Sequence, residues 1–83
     1  MRSIERSTAF KRDYKREMKG RHGRDLPSLL ARILERLAHD EPLDRALRDH
    51  ALSGNWSDFR ECHLKPDLLL IYRKSDDSTL RLA

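Results

Sequence analysis

The hydrophobic rhythm of this chain changes at Pro42, and that change limits its architecture more than any other feature. Before it, Leu26, Leu29, Leu30, Ile33, Leu34 and Leu37 recur at helical spacing, which makes one face of a helix apolar and obliges it to pack against something. Asp25 stands where an N-cap is expected, and Pro27 falls in the first turn, where a missing N–H does no harm. Pro42 ends the run, since it cannot continue a helix and disfavours helical geometry at Glu41. Beyond it the period falls to two. In "SDFRECHL" Cys62 and Leu64 share one face while Phe59, Glu61 and His63 share the other. "DLLLIYR" is apolar on both faces, as a central strand is, and "STLRLA" sets Leu80 and Leu82 against Thr79 and Arg81. "KSDDS" between them supplies a polar hairpin loop.

Upstream, "RSIERS" alternates Ile4 with charged neighbours and predicts a short edge strand. Ser7 or Thr8 can cap a second helix, whose narrow apolar stripe is Phe10, Tyr14 and Met18 and which ends near Gly20 and Gly23. The predicted order is β-α-α-β-β-β in the α+β class, with two N-terminal helices covering one face of a small, mostly antiparallel sheet. With 83 residues, no internal repeat and no linker, residues 1–83 are expected to form a single domain. Only 37% of the residues are hydrophobic and 39% are charged, so the core is small. Cys62 is the sole cysteine, which excludes an internal disulfide and suits a reducing compartment. Neither a secretory h-region nor a bilayer-length apolar run is present, so the expectation is a cytoplasmic protein without a membrane partner.

The net charge is +4, and its location is informative. Lys11, Arg12, Lys15, Arg16, Lys19, Arg21 and Arg24 outweigh Asp13 and Glu17 to give this one segment a balance of +5. Such a surface suits phosphates or an acidic protein, and equally a solvated helix face.

The sheet face that the helices leave uncovered is expected to carry His63. Asp67 follows across a short Lys65-Pro66 turn and is expected near it, with His50, before the "LSGNW" turn, dropping in beside the pair. Cleaving RNA without a metal requires a base for the 2′-OH, an acid for the leaving 5′-oxygen and positive charge on the phosphate. Histidine can serve in either proton role, a carboxylate can orient an imidazole or act as base, and Arg60, Lys65 and Arg73 can supply charge. On spacing alone, a structural role stands beside this one: His50 capping a turn and Asp67 capping a loop. Two further histidines, His22 and His39, fall at helix ends and are expected to be solvated. A facial metal triad of His50, His63 and Asp67 is disfavoured, because no Cys or His pair repeats at a chelating interval; no cofactor is expected.

The stretch "DHALSGNWSDFRECHLKPDLLLIYR", Asp49 to Arg73, resembles the D-H-x-L-x-G-x-W-x-x-x-R-x-x-H-x-x-P-D-x-x-L-I-Y core of YafQ-type toxins in the RelE/ParE superfamily. The order of strand, basic helix and Leu-rich helix agrees with that family upstream. The resemblance implies a RelE-like fold and a bacterial type II toxin acting as a ribosome-dependent endoribonuclease on mRNA in the A site. A cognate antitoxin would neutralise it, and the pair would repress its own operator DNA. His50, His63 and Asp67 fall on the family's catalytic positions; Lys11, Arg12, Lys15, Arg16 and Lys19 would hold ribosomal RNA and attract an acidic antitoxin. Trp56, the only Trp, is assigned to packing in a thin core, and Phe59 and Tyr72 likewise. Leu68 departs from the family where relatives carry an aromatic. A ParE-like gyrase inhibitor would share the fold without needing the two histidines and Asp67, and a plain binding module would need only the basic segment.

Members of the family continue with an R-T-G-(S/T)-H-x-x-L-F tail that supplies a further catalytic His and a stacking aromatic, whereas this sequence stops at Ala83. The expectation is a domain that folds but cleaves weakly or not at all. Appending a His-containing tail is expected to raise ribosome-dependent mRNA cleavage by about 10²- to 10⁴-fold, the usual worth of a positioned general acid; an unchanged rate removes the tail from the mechanism.

Overall fold

The computed structural model describes residues 1–83. The elements are β1 (Ser3–Arg6), α1 (Thr8–Met18), α2 (Leu26–Ala38), β2 (His50–Ala51), β3 (Arg60–Lys65), β4 (Leu68–Lys74) and β5 (Thr79–Leu82), with 3₁₀ turns at Arg45–Leu47 and Gly54–Trp56. They form one five-stranded sheet in the order β1-β5-β4-β3-β2. β1 runs parallel to β5, and every other pairing is antiparallel. This is the expected α+β arrangement with one strand more: the two-residue β2, too short to show a period, closes the far edge.

Local chemistry explains the helix ends. Ser7 caps α1, its Oγ accepting the Phe10 N–H at 2.9 Å. The turn between the helices passes so close to itself that a side chain at Gly23 would bring a Cβ within 2.1 Å of the Met18 carbonyl oxygen; only glycine permits it. Asp25 holds the N-cap position of α2, but its side chain makes no capping bond and instead faces Lys65, 3.8 Å away. That corrects the expected side-chain cap; Asp25 is itself in helical geometry, which turns its carboxylate away from the free N–H groups.

The core lies between α2 and the sheet. Leu26, Leu30, Ile33, Leu34 and Leu37 meet Cys62, Leu64, Leu68, Leu70, Tyr72, Leu80 and Leu82, the alternate residues of β3, β4 and β5. α1 buries nothing fully. Phe10 and Tyr14 pack against the edge of the core, and the stripe fades at Met18, which is exposed. Burial pushes the Cys62 thiol up to about 12, helped by the nearby Asp49 and Glu61 charges, so it is an inert packing group. No helix is long and apolar enough to cross a membrane. With so thin a core, Leu80→Ala at a fully buried position is expected to lower stability by about 2–5 kcal/mol in urea denaturation, while Met18→Ala changes it little.

Candidate functional site

Because Cys62 and Leu64 enter the core, Glu61 and His63 point from β3 to the uncovered face. β2 then completes the group: His50 is registered directly opposite Glu61, on the short edge strand beside it. The two imidazole centroids are 6.2 Å apart, and each Nε2 lies 3.9 Å from Glu61 Oε1. Sequence reasoning placed Glu61 on this face but gave it no role, because the register of His50 could not be read before β2 was known.

His50 is further constrained through its other nitrogen. Its Nδ1 lies 2.7 Å from the Arg48 carbonyl oxygen, and since a carbonyl only accepts, Nδ1 carries the hydrogen. The neutral ring therefore presents a free lone pair at Nε2, toward Glu61 and solvent. Arg48 takes a left-handed backbone conformation, φ 51°, uncommon for a residue with a side chain, and that turn aims the carbonyl. Arg48 also lines, with Leu47, His63, Lys65 and Pro66, an open hollow of about 370 Å³ beside His63.

Positive charge continues along the same face. Arg73 and Arg81 are cross-strand neighbours, with Arg81 3.4 Å from Glu5 on β1. The Arg73 guanidinium lies over the Phe59 ring, 5.1 Å from its centroid. Phe59 in turn meets Trp56 edge-on at 5.0 Å. Trp56 is 50% exposed, which corrects its assignment to the core: α2 and the leucines already fill the space, and the Gly54–Trp56 turn holds the indole outside it. Tyr72 is a core residue as expected, whereas Phe59 is half-buried at the rim of the open face.

Asp67 does not join the histidines. The β3–β4 register slips between His63 and Lys65, and the bulge carries the following turn toward the α1–α2 connection. There Asp67 pairs with Arg21 and accepts or shares a hydrogen bond with His22 Nε2 at 2.8 Å. The expected proximity of Asp67 to His63 is thus corrected, as is the expectation that His22 is merely solvated; its side chain is only 19% exposed. The hydrogen bond from Arg21 foremost, with that of His22, holds the Asp67 carboxyl down at about 2.

The expected phosphate ligands divide similarly. Arg60 belongs to the helix side, bonded through Nε to Asp49 at 3.2 Å, and the Tyr72 hydroxyl donates to the same carboxylate at 2.5 Å. Lys65 faces Asp25 at 3.8 Å while bordering the hollow beside His63. Lys11, Arg12, Lys15 and Arg16 are exposed on α1, and Lys19 at its C-cap; the Phe10 and Tyr14 of this helix pack on the helix side of the sheet, and Asp13 and Glu17 partly offset Arg12 and Arg16. Of the eight, Arg73 alone lies squarely on the face with His50 and His63.

A small basic α+β domain with paired imidazoles on its free sheet face defines a class, and comparison with known proteins supplies the family. Residues 2–83 match the family model described as a bacterial toxin of type II toxin-antitoxin system, YafQ. The mRNA interferase toxin YafQ of Escherichia coli strain K12 is 35% identical over 75 residues, 90% of this chain and 79% of that protein. Among solved structures, a copper-bound mutant toxin from Helicobacter pylori superposes with a TM-score of 0.87 at 35% identity, covering 100% of this chain and 90% of the other. The toxin in the E. coli DinJ-YafQ complex gives 0.81 at 31%, covering 99% and 88%. The chain belongs to the YafQ family of bacterial type II toxins.

No three His, Cys, Asp or Glu side chains of this chain converge closely enough to hold a metal ion. The two Nε2 atoms stand 3.9 Å from the Glu61 oxygen, and Asp67 is engaged elsewhere. The carboxylate pair with Arg21 and His22 ties two loops together, and its pH dependence has a definite sign. A carboxyl depressed in the fold contributes above its unfolded value and loses that contribution as pH falls through the folded one. Asp67→Asn is accordingly expected to lower the melting temperature at pH 7, with the difference shrinking between about pH 4 and pH 2; a constant difference across that range overturns the clamp.

Proposed function

We propose that this chain is an mRNA interferase: an endoribonuclease that cleaves mRNA on the ribosome by acid/base chemistry, using the 2′-OH as nucleophile. The observation that carries this reading is the pairing of His50 with His63 on the open face, ring centroids 6.2 Å apart, with His50 oriented by its Nδ1 bond to the Arg48 carbonyl so that Nε2 is the nitrogen left for proton exchange. His50 takes the proton of the 2′-OH, the 2′-oxygen attacks phosphorus, and the phosphorus–O5′ bond breaks. His63, entering as the imidazolium, gives its proton to the departing 5′-oxygen. The products are a 2′,3′-cyclic phosphate and a 5′-hydroxyl. Glu61 lies between the rings, where it faces the positive charge that moves from one to the other. Arg73, Arg81 and Arg48 supply cations toward the phosphates.

In this reading Asp67 contributes by fixing the β3–β4 turn that follows His63 and takes no proton itself, since a carboxylate held this low is a weak base. The exposed lysines of α1 serve affinity for ribosomal RNA from the other side of the sheet. The protein works in the bacterial cytoplasm, where its target is, and a cognate antitoxin restrains it, as DinJ accompanies YafQ in E. coli.

The test is a reconstituted translation reaction with the mRNA ends mapped. His50→Ala and His63→Ala are each expected to reduce A-site cleavage by about 10²- to 10⁴-fold, and Glu61→Gln by less. Removing Lys11 and Lys15 together is expected to raise the protein concentration needed, with the cut positions unchanged. Full activity in His63→Ala overturns the reading.

A further inference from the structure

The lone tryptophan packs against an aromatic that shares the open sheet face with the two imidazoles. Along β3 the open face presents Phe59, Glu61 and His63 in turn, each separated from the next by two residues, about 7 Å. Trp56, in the turn before this strand, packs on Phe59, its ring edge-on to the phenyl group at 5.0 Å and inclined by 62°. Arg73 covers part of the phenyl face, and Arg81 follows it across the sheet. Thus one end of the row is a braced aromatic flanked by cations, and the other is the imidazole pair.

An exposed indole is expensive in a domain with so little apolar material. The indole makes no hydrogen bond within the protein, and half of it faces solvent, although burying it would contribute more to stability than any other side chain. Its backbone is nonetheless held firmly: the Trp56 N–H bonds to the Ser53 carbonyl at 3.3 Å and the Trp56 carbonyl accepts from Phe59 N–H at 2.9 Å. The ring is therefore a presented surface on a fixed turn. Aromatic faces beside guanidinium groups are the ordinary means of gripping single-stranded nucleic acid, with stacking for the base and charge for the backbone.

We infer that Trp56 is the stacking platform for a nucleobase of the mRNA strand held across His50 and His63, with Phe59 bracing it and Arg73 neutralising the adjoining phosphate. This rests on the ribonuclease reading above, and it assigns Trp56 a positioning role upstream of the chemistry. A base seated there fixes the strand's register and so selects which phosphate meets the two imidazoles.

Two measurements decide it. Trp56 is the sole Trp, so intrinsic fluorescence reports on it alone. At low ionic strength, a single-stranded oligoribonucleotide is expected to quench that emission, whereas an abasic oligomer of equal length and charge leaves it unchanged. In reconstituted translation, Trp56→Leu is expected to lower cleavage by roughly 5- to 150-fold, the range that one base stack confers, through the concentration needed for half-maximal cleavage, and to spread the cut positions. Trp56→Phe is expected to restore most of both. Absence of quenching, or equal quenching by the abasic oligomer, overturns the platform whether or not the chain cleaves mRNA. So does a Trp56→Leu protein that cleaves normally and loses only its affinity for the antitoxin, which would make the indole a protein anchor. Loss of cleavage in His63→Ala with quenching retained is the expected separation of the two roles.

Discussion

The seam between α2 and the inner face of β3, β4 and β5 supports everything else in this molecule. Five side chains of one helix and seven from three strands make up the core, and α1 adds only Phe10 and Tyr14 at its margin. Because both helices cover the same side, the opposite face of the sheet owes nothing to stability through burial. Titratable and charged groups can gather there without the desolvation cost that a two-sided core would impose. His50, Glu61, His63, Arg73 and Arg81 occupy that freedom.

The two sides are nevertheless coupled. Tyr72 is almost wholly buried, and burial, with its bond to Asp49, raises its pKa well above that of a free phenol. Its hydroxyl emerges at the sheet edge to hold Asp49, the residue immediately before His50. Arg60 grips the same carboxylate, and its own pKa rises chiefly through that hydrogen bond. The start of the short β2 strand is thereby fastened to the core through Asp49 and turned by Arg48 just before it, which is what allows so exposed a strand to hold an imidazole in a fixed orientation.

How much of this was legible in the sequence followed from how local each determinant is. The period of Leu26 to Leu37 and the alternation around Cys62, Leu80 and Leu82 are local, and they define the helix, the three long strands and the buried face without further information. The family could be read from the Asp49–Arg73 spacing. Contacts set by register could not: a two-residue strand has no period, so the partnership of His50 with Glu61 was invisible. Nor does a sequence announce a bulge, and the slip after His63 sent Asp67 to Arg21 and His22. Trp56 was misplaced because size and apolarity argue for burial wherever space remains, and here none remained. Arg48 and Arg81 were overlooked because a basic residue carries no mark of the face it will occupy.

The parallel pairing of β1 with β5 bears on how such a protein comes into being. Ser3 meets Thr79 and Arg6 meets Leu82, so the first strand of this sheet waits for the fifth, and β1 has no other neighbour in the sheet. Leu80 and Leu82 must also arrive before the core is filled. Long-range pairings of this kind form late in folding. The sheet that displays the two imidazoles is therefore complete only once β5 has paired with β1, so its assembly depends on its longest-range contact.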